Sequence, residues 1–291
     1  MKKKIQQWTC VITGSTSGVG LGIARSMAQS GATVVICGRN KNTGNKTAER
    51  LIRETGNDNI AFRTLDLASF SSIHDFVHGL KEHYSSVELL SNNAAVLQRQ
   101  AEITADGVEK TFQVNYLGHF LLTMLLLDLL KNDEGGRIIT VSGSPSILTF
   151  GKLDIQDLDS RKKYNFLKAT LRAAYAKVAF SYKLSCLLDP QQVTSNTFHP
   201  GIIKSNLGRN LPVIIKLFFN LVEFFLPAIS KTALYAAVSD DLDGISGAFI
   251  SHRRIIDFSP KHDLDFYADF LWRQSFALTG IEAIGEKDGV W

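Results

Sequence analysis

The sequence predicts a single α/β domain over residues 1–291, built on a doubly wound parallel sheet of about seven strands with helices on both faces. Three observations carry that reading. Short apolar runs recur along the chain and stop at glycine, asparagine or a polar cluster, as strands buried on both faces do. The stretches between them place apolar residues at helical spacing, and strand–helix alternation with right-handed crossovers closes into one parallel sheet. The first run feeds a glycine-rich turn that opens a helix, the usual site of a ligand crevice in such a sheet. A chain of 291 residues that is 45% apolar can bury a full core of this kind.

Thr9 to Thr13 is the first strand, and a helix runs from Leu21 to Ser30 with Gly31 as its stop. Thr33 to Cys37 completes a β-α-β unit. A polar-faced helix over Lys46–Thr55 leads to the third strand, Ile60–Thr64, and Leu89-Leu90-Ser91 forms the fourth. Val108 to Leu130 reads as one long helix. Arg137–Val141 and Ser195–His199 are the fifth and sixth strands, and Gly247–Ile250 is the last.

The chemistry starts at Thr13-Gly14-x-x-x-Gly18-x-Gly20. A helix N-terminus carries unpaired N–H groups and the positive end of the helix dipole, so a pyrophosphate can sit against it. Glycines there allow the tight turn and the close approach of backbone to phosphate. The second strand ends at Gly38-Arg39-Asn40, where the ribose of an adenosine would lie. An acid there would bind ribose hydroxyls, whereas Arg39, with Lys41 close by, can pair with a 2′-phosphate or stack on adenine. NADP(H) is therefore expected over NAD(H).

The glycine motif resembles the cofactor motif of the short-chain dehydrogenase/reductase superfamily. From about Thr9 to Ile281 the chain is similar to its retinol-dehydrogenase-like branch. The resemblance implies a Rossmann-type fold in which Gly14, Ser17, Gly18, Val19 and Gly20 hold the pyrophosphate. Asp66 and Leu67 meet the adenine, although Asp66 could equally cap the following helix. Asn92-Asn93-Ala94-Ala95 resembles the family's Asn-Asn-Ala-Gly, which adds Asn93 and Ala94 to the cofactor set. His199-Pro200-Gly201-Ile202-Ile203-Lys204-Ser205 resembles the loop that meets the nicotinamide carboxamide, and it contributes Pro200, Gly201, Ile203 and Ser205. Asn115, within Asn-Tyr-Leu-Gly-His-Phe, matches the asparagine that holds a water in a proton relay. As a buried amide it could also be satisfied by local backbone.

The same resemblance implies hydride transfer aided by a Tyr-x-x-x-Lys pair and a serine, and here the chain departs from it. The expected serine position is Gly143, with Ser144 one residue on. Counting back from His199 puts the tyrosine at Thr170 and the lysine at Ala174. Tyr175 and Lys177 stand in family-like wording but two residues apart, on different faces of a helix. Tyr164 and Lys168 have the right spacing but lie early. Two functions stay open. One is an oxidoreductase using NADP(H) on a hydrophobic alcohol or carbonyl, with Asn115, Ser144, Tyr175 and Lys177 as catalytic candidates. The other is a nucleotide-binding pseudo-enzyme that acts as sensor or scaffold.

The net charge of +4 is too small and dispersed for a nucleic-acid partner. Lys2, Lys3 and Lys4 form a basic tail with no apolar run after them, unlike a signal peptide. Cys10, Cys37 and Cys186 have no metal-like spacing and read as buried or semi-buried thiols in a reducing, cytoplasmic setting. Residues 206–232 form an apolar insertion. Its centre, Leu211–Ile229, is expected to be a lid over a greasy substrate, with an interfacial membrane helix or a homo-oligomer contact as alternatives.

Overall fold

The computed structural model describes residues 4–131, 135–149, 153–162, 164–201, 203, 229–258 and 263–282. Eight strands form one sheet: β1 (Thr9–Thr13), β2 (Thr33–Gly38), β3 (Ile60–Thr64), β4 (Leu89–Asn92), β5 (Gly136–Val141), β6 (Val193–Phe198), β7 (Phe249–Ser251) and β8 (Arg254–Ile256). Their order is β3-β2-β1-β4-β5-β6-β7-β8. The chain winds outward from β1 to β3, then returns to β4 on the other side of β1. Loops leaving β1 and β4 therefore diverge, and a crevice opens between them. The helices are α1 (Gly18–Gln29), α2 (Lys41–Thr55), α3 (Phe70–Lys81), α4 (Lys110–Leu130), α5 (Pro145–Leu148), α6 (Phe166–Leu187), α7 (Lys231–Val238) and α8 (Leu264–Thr279).

Strand residues alternate between two cores, because successive side chains leave opposite faces of a sheet. Cys10, Ile12, Val34 and Ile36 pack under α1, α2 and α7, whereas Val11, Val35 and Cys37 face the layer of α3, α4, α6 and α8. That second layer is pinned by rings. Phe120 on α4 lies 5.2 Å from both Phe180 on α6 and Phe276 on α8, with Trp272 5.1 Å from Phe276. Edge-on pairs of this kind add roughly 0.5–1.5 kcal/mol each beyond the area they bury.

Helix starts differ from the expected ones for identifiable reasons. α1 begins at Gly18, three residues early, because the glycines belong to its first turn. α2 begins at Lys41, since the Asn40 side chain accepts the Thr43 N–H as an N-cap. α4 begins at Lys110, where the Glu109 carboxylate accepts the Phe112 N–H, and it contains a π turn over Gln113–Leu117. Cys10 and Cys37 are buried, and burial pushes both thiols well up, but Cys186 is exposed rather than semi-buried. Among the described residues Lys110–Leu130 is the single helix long and apolar enough to cross a membrane, and 89% of its apolar window is buried inside the protein. Lys2, Lys3, Ser205 and residues 206–228 of the apolar insertion lie outside the described residues.

The sheet has one strand more than expected. β8 turns back antiparallel on β7, with Ser251 opposite Arg254. The two central residues of that tight turn, His252 and Arg253, have φ of 51° and 59°. Positive φ at both positions is what a type I′ hairpin requires, and it is normally supplied by Asn-Gly. A left-handed backbone costs a side-chain-bearing residue roughly 1 kcal/mol or more. Replacing His252→Asn together with Arg253→Gly should therefore stabilise the protein by about 1 kcal/mol. A chemical-denaturation midpoint that stays put or falls would show that the turn is unstrained.

Candidate active site

The crevice between β1 and β4 is a cleft of about 1070 Å³ running across the C-terminal ends of the parallel strands. Its middle is the glycine turn. Gly14 has φ of +63°, and a Cβ there would lie 2.8 Å from the Ala94 Cα, so only glycine fits. A Cβ on Gly20 would meet the Gly14 carbonyl oxygen at 2.8 Å, which keeps α1 tight against the end of β1. Ser17, at the N-cap of α1, makes no side-chain capping bond, so the first N–H groups of this helix stay open to the cleft. Gly18 and Val19 line the same stretch. This cradle suits a pyrophosphate by shape and by field.

One end of the cleft lies over β2 and β3. Arg39 is exposed on its rim, and no carboxylate among the described residues is paired with it. Thr16, Asn40 and Thr43 stand beside it and were not singled out from sequence. Asp66 and Leu67 form the opposite wall. Ser69, not Asp66, caps α3, by accepting the Ser72 N–H. Asp66 instead accepts the Ala68 N–H at 3.0 Å. Of the two expected roles for Asp66, the helix cap is therefore the one the structure assigns elsewhere.

The other end lies over β4, β5 and β6. Asn93, Ala94, Pro200, Gly201 and Ile203 all border the cleft, and the Ser230 hydroxyl holds the Pro200 carbonyl at 2.7 Å. Thr13 ties the two sides together. Its hydroxyl oxygen accepts the N–H groups of Asn93 and Ala94 at 2.9 and 3.1 Å and lies 3.0 Å from the His119 Nε2. His119 Nδ1 lies 3.3 Å from the Asn115 carbonyl. A ring that donates from Nδ1 to a carbonyl and accepts the Thr13 proton at Nε2 is neutral. Burial, reinforced by the positive charge of Lys177, lowers the His119 pKa to about 3.

Asn115 borders the cleft within the π turn, but both halves of its amide are spent. Its Oδ1 accepts the Val96 N–H at 2.7 Å and its Nδ2 donates to the Val96 carbonyl at 2.9 Å. Its side chain is thus the backbone-satisfied amide of the two expected alternatives. Ser144 does not line the cleft, because Pro145 turns the chain into α5 directly after it. Ser142 does line it, yet its hydroxyl donates to the Ala174 carbonyl at 2.8 Å.

On α6 the residues facing the cleft are Thr170, Ala174 and Lys177. Seven residues make about two helical turns, so all three share one face. Tyr175 is turned away: it is fully buried, its ring packs edge-on against Tyr267 of α8 at 5.8 Å, and burial pushes its phenol up to about 12. It cannot serve as the acid proposed from sequence. Tyr164 precedes the helix and donates to the Gln98 carbonyl at 2.7 Å, while Lys168 is exposed, so that pair is not assembled either. Gly143 borders the cleft as well, and a Cβ there would make only ordinary contact with Leu148 at 3.6 Å. His199 is a further site residue, which the sequence marks only as the start of the His199–Ser205 motif. It borders the cleft with a buried, unpartnered Nδ1, and burial lowers its pKa.

Lys177 is the unusual member. It is 5% exposed, it faces the cleft, and no hydrogen bond or ion pair to it is formed among the described residues. Burial alone lowers its pKa from the ordinary 10.5 to about 8.

Known proteins resemble this chain in sequence and in fold. Residues 9–150 match the family model described as short chain dehydrogenase. Human retinol dehydrogenase 14 is 34% identical over 94% of this chain and 86% of its own length. Mouse retinol dehydrogenase 13 is 35% identical over 96% and 86%. A crystal structure of an uncharacterised protein from Mycobacterium paratuberculosis superposes with a TM-score of 0.73, at 27% identity and 95% coverage of both chains. A Shigella flexneri short chain dehydrogenase complexed with NADP has a TM-score of 0.63 at 19% identity, covering 87% of this chain and all of its own, and supports the fold.

The buried ammonium has a measurable signature. Between about pH 8 and 10.5 the unfolded chain still holds a proton at Lys177 that the folded chain has released, so this group makes stability rise with pH. Lys177→Met removes the unpaired charge. It should stabilise the protein at pH 7 by up to about 3 kcal/mol, with the advantage vanishing above pH 10.5. Equal stability of the two proteins at pH 7 would mean that the ammonium is solvated or paired.

Proposed function

This chain belongs to the short-chain dehydrogenase/reductase superfamily, in its retinol-dehydrogenase-like branch, and we propose that it is an NADP(H)-binding member with slow hydride transfer. The observation that carries the proposal is the cleft face of α6. Thr170 and Ala174 line it where the family resemblance places a tyrosine and a lysine, and Gly143 lines it where a serine is expected. Among the described residues no phenol borders the cleft. A bound dinucleotide supplies or accepts the hydride, and the protein must move the accompanying proton. General acid–base assistance of that kind contributes about 10²–10⁴-fold, so its loss leaves nucleotide binding intact and turnover weak. The bound nucleotide then serves recognition or sensing. The substrate class, a hydrophobic alcohol or carbonyl, follows from the likeness to relatives named retinol dehydrogenases.

Arg39 supports the NADP(H) assignment, because an unpaired guanidinium on the rim over β2 offers a charge-assisted bond to a 2′-phosphate. A second reading, an active reductase that uses Lys177 as its proton donor, is favoured by that side chain facing the cleft without a partner.

NADPH should bind more tightly than NADH by about 1.5–3 kcal/mol, and Arg39→Asp should reverse the order. Equal affinities in the unaltered protein would refute the assignment. Turnover with retinoids, steroids and aliphatic aldehydes should be slow or undetectable. The triple change Gly143→Ser, Thr170→Tyr and Ala174→Lys should raise it by about 10²-fold or more. Brisk turnover by the unaltered protein that declines as pH rises through about 8 and disappears in Lys177→Met would establish the second reading instead.

A further inference from the structure

The cleft has three charge environments in sequence. Arg39 and Asp66 stand at the end over β2 and β3, and the open N-terminus of α1 lies in the middle. Among the described residues, the end over β4, β5 and β6 has Lys177 as its only group lining the cleft that carries a full charge near neutral pH. Its other titratable groups are His119 on α4 and His199 after β6, and both have lowered pKa values and are neutral. The carboxylates of α8 face elsewhere: Asp265 accepts the Tyr182 hydroxyl and Asp269 pairs with Lys183. Among the described residues no carboxylate borders the cleft at the Lys177 end.

A dinucleotide whose adenosine lies at Arg39 and whose phosphates lie at the glycine turn must extend its second ring to the Lys177 end. Its two redox forms share the same phosphates, riboses and adenine. They differ in formal charge at one place, because the oxidised nicotinamide ring is cationic and the reduced ring is neutral. We infer that Lys177 is a redox-state selector, a buried cation that holds NADPH in preference to NADP+. The inference rests on the nucleotide-binding function proposed above and adds to it a ranking of the two cofactor forms. Two like charges at the same end of a cleft repel by enough to separate two affinities about tenfold. The ammonium is positioned for this by the tilt of helical side chains towards the N-terminus, which carries it towards the space left open by Ala174. In a reductase this preference would load the cofactor ready for use, and in a sensor it would make the protein report reduced nucleotide.

The test is direct titration of the full chain with NADPH and with NADP+, in the unaltered protein, in Lys177→Met and in Lys177→Arg. The unaltered protein should prefer NADPH. Lys177→Met should lower the ratio of the two dissociation constants by about tenfold, chiefly by tightening NADP+. That change corresponds to about 30 mV in the potential of the bound two-electron couple. Lys177→Arg, which keeps the charge, should keep the ratio. An unchanged ratio in a folded Lys177→Met protein that binds both forms would overturn the inference and leave the nucleotide-binding function standing. If the unaltered protein binds neither form, the nucleotide-binding function itself fails.

Discussion

The hydroxyl of Thr13 is the joint on which the site depends. It stands at the end of the central strand, where the chain direction reverses, and its oxygen meets the N–H groups of Asn93 and Ala94 and the ring of His119. Those contacts hold the loop after β4 against the glycine turn closely enough that Gly14 could not carry a side chain. They also hold the first full turns of α4 beneath the cleft, because His119 in turn reaches the Asn115 carbonyl that the π turn exposes. With the Ser91 carbonyl at 3.4 Å as well, a buried hydroxyl with four neighbours in hydrogen-bond reach tolerates little movement of any of them. The width of the crevice is thereby set before any ligand enters.

Beneath that joint the electrostatics are one-sided. Imidazoles that would otherwise titrate near neutrality are held neutral, while one ammonium is left charged and unpaired. Burying an unpaired charge is unfavourable, and proteins keep such groups where the strain has a use. The glycine-turn half is built from backbone and small residues, whereas among the described residues the inner half carries its charge on one side chain, Lys177.

Much of this was legible in the sequence because it is local. The glycine turn, the helix it opens and the strand before it are contiguous, and their spacing carries the geometry. The eighth strand was hidden because its turn is His252-Arg253, residues that give no hairpin signal. The fate of Asn115 turns on Val96, and that of Tyr175 on Tyr267 of α8. Neither partner lies in the same element, so periodicity had nothing to say about them. Lys177 was a different case. Its seven-residue separation from Thr170 put both on one helical face from the start, and the uncertainty lay in which face met the cleft.

α6 carries its two duties on different sides. Ala173, Ala176, Ala179 and Phe180 pack into the core, while Thr170 stands on the rim of the cleft and Gly143 borders it from the neighbouring loop. Ala174 belongs to both sides, because it lines the cleft and is also part of the buried core. A side chain at 143 would make only ordinary contact with Leu148, whereas one larger than alanine at 174 must displace core neighbours. Packing, more than chemistry, therefore limits which side chains this face of α6 can present to a ligand.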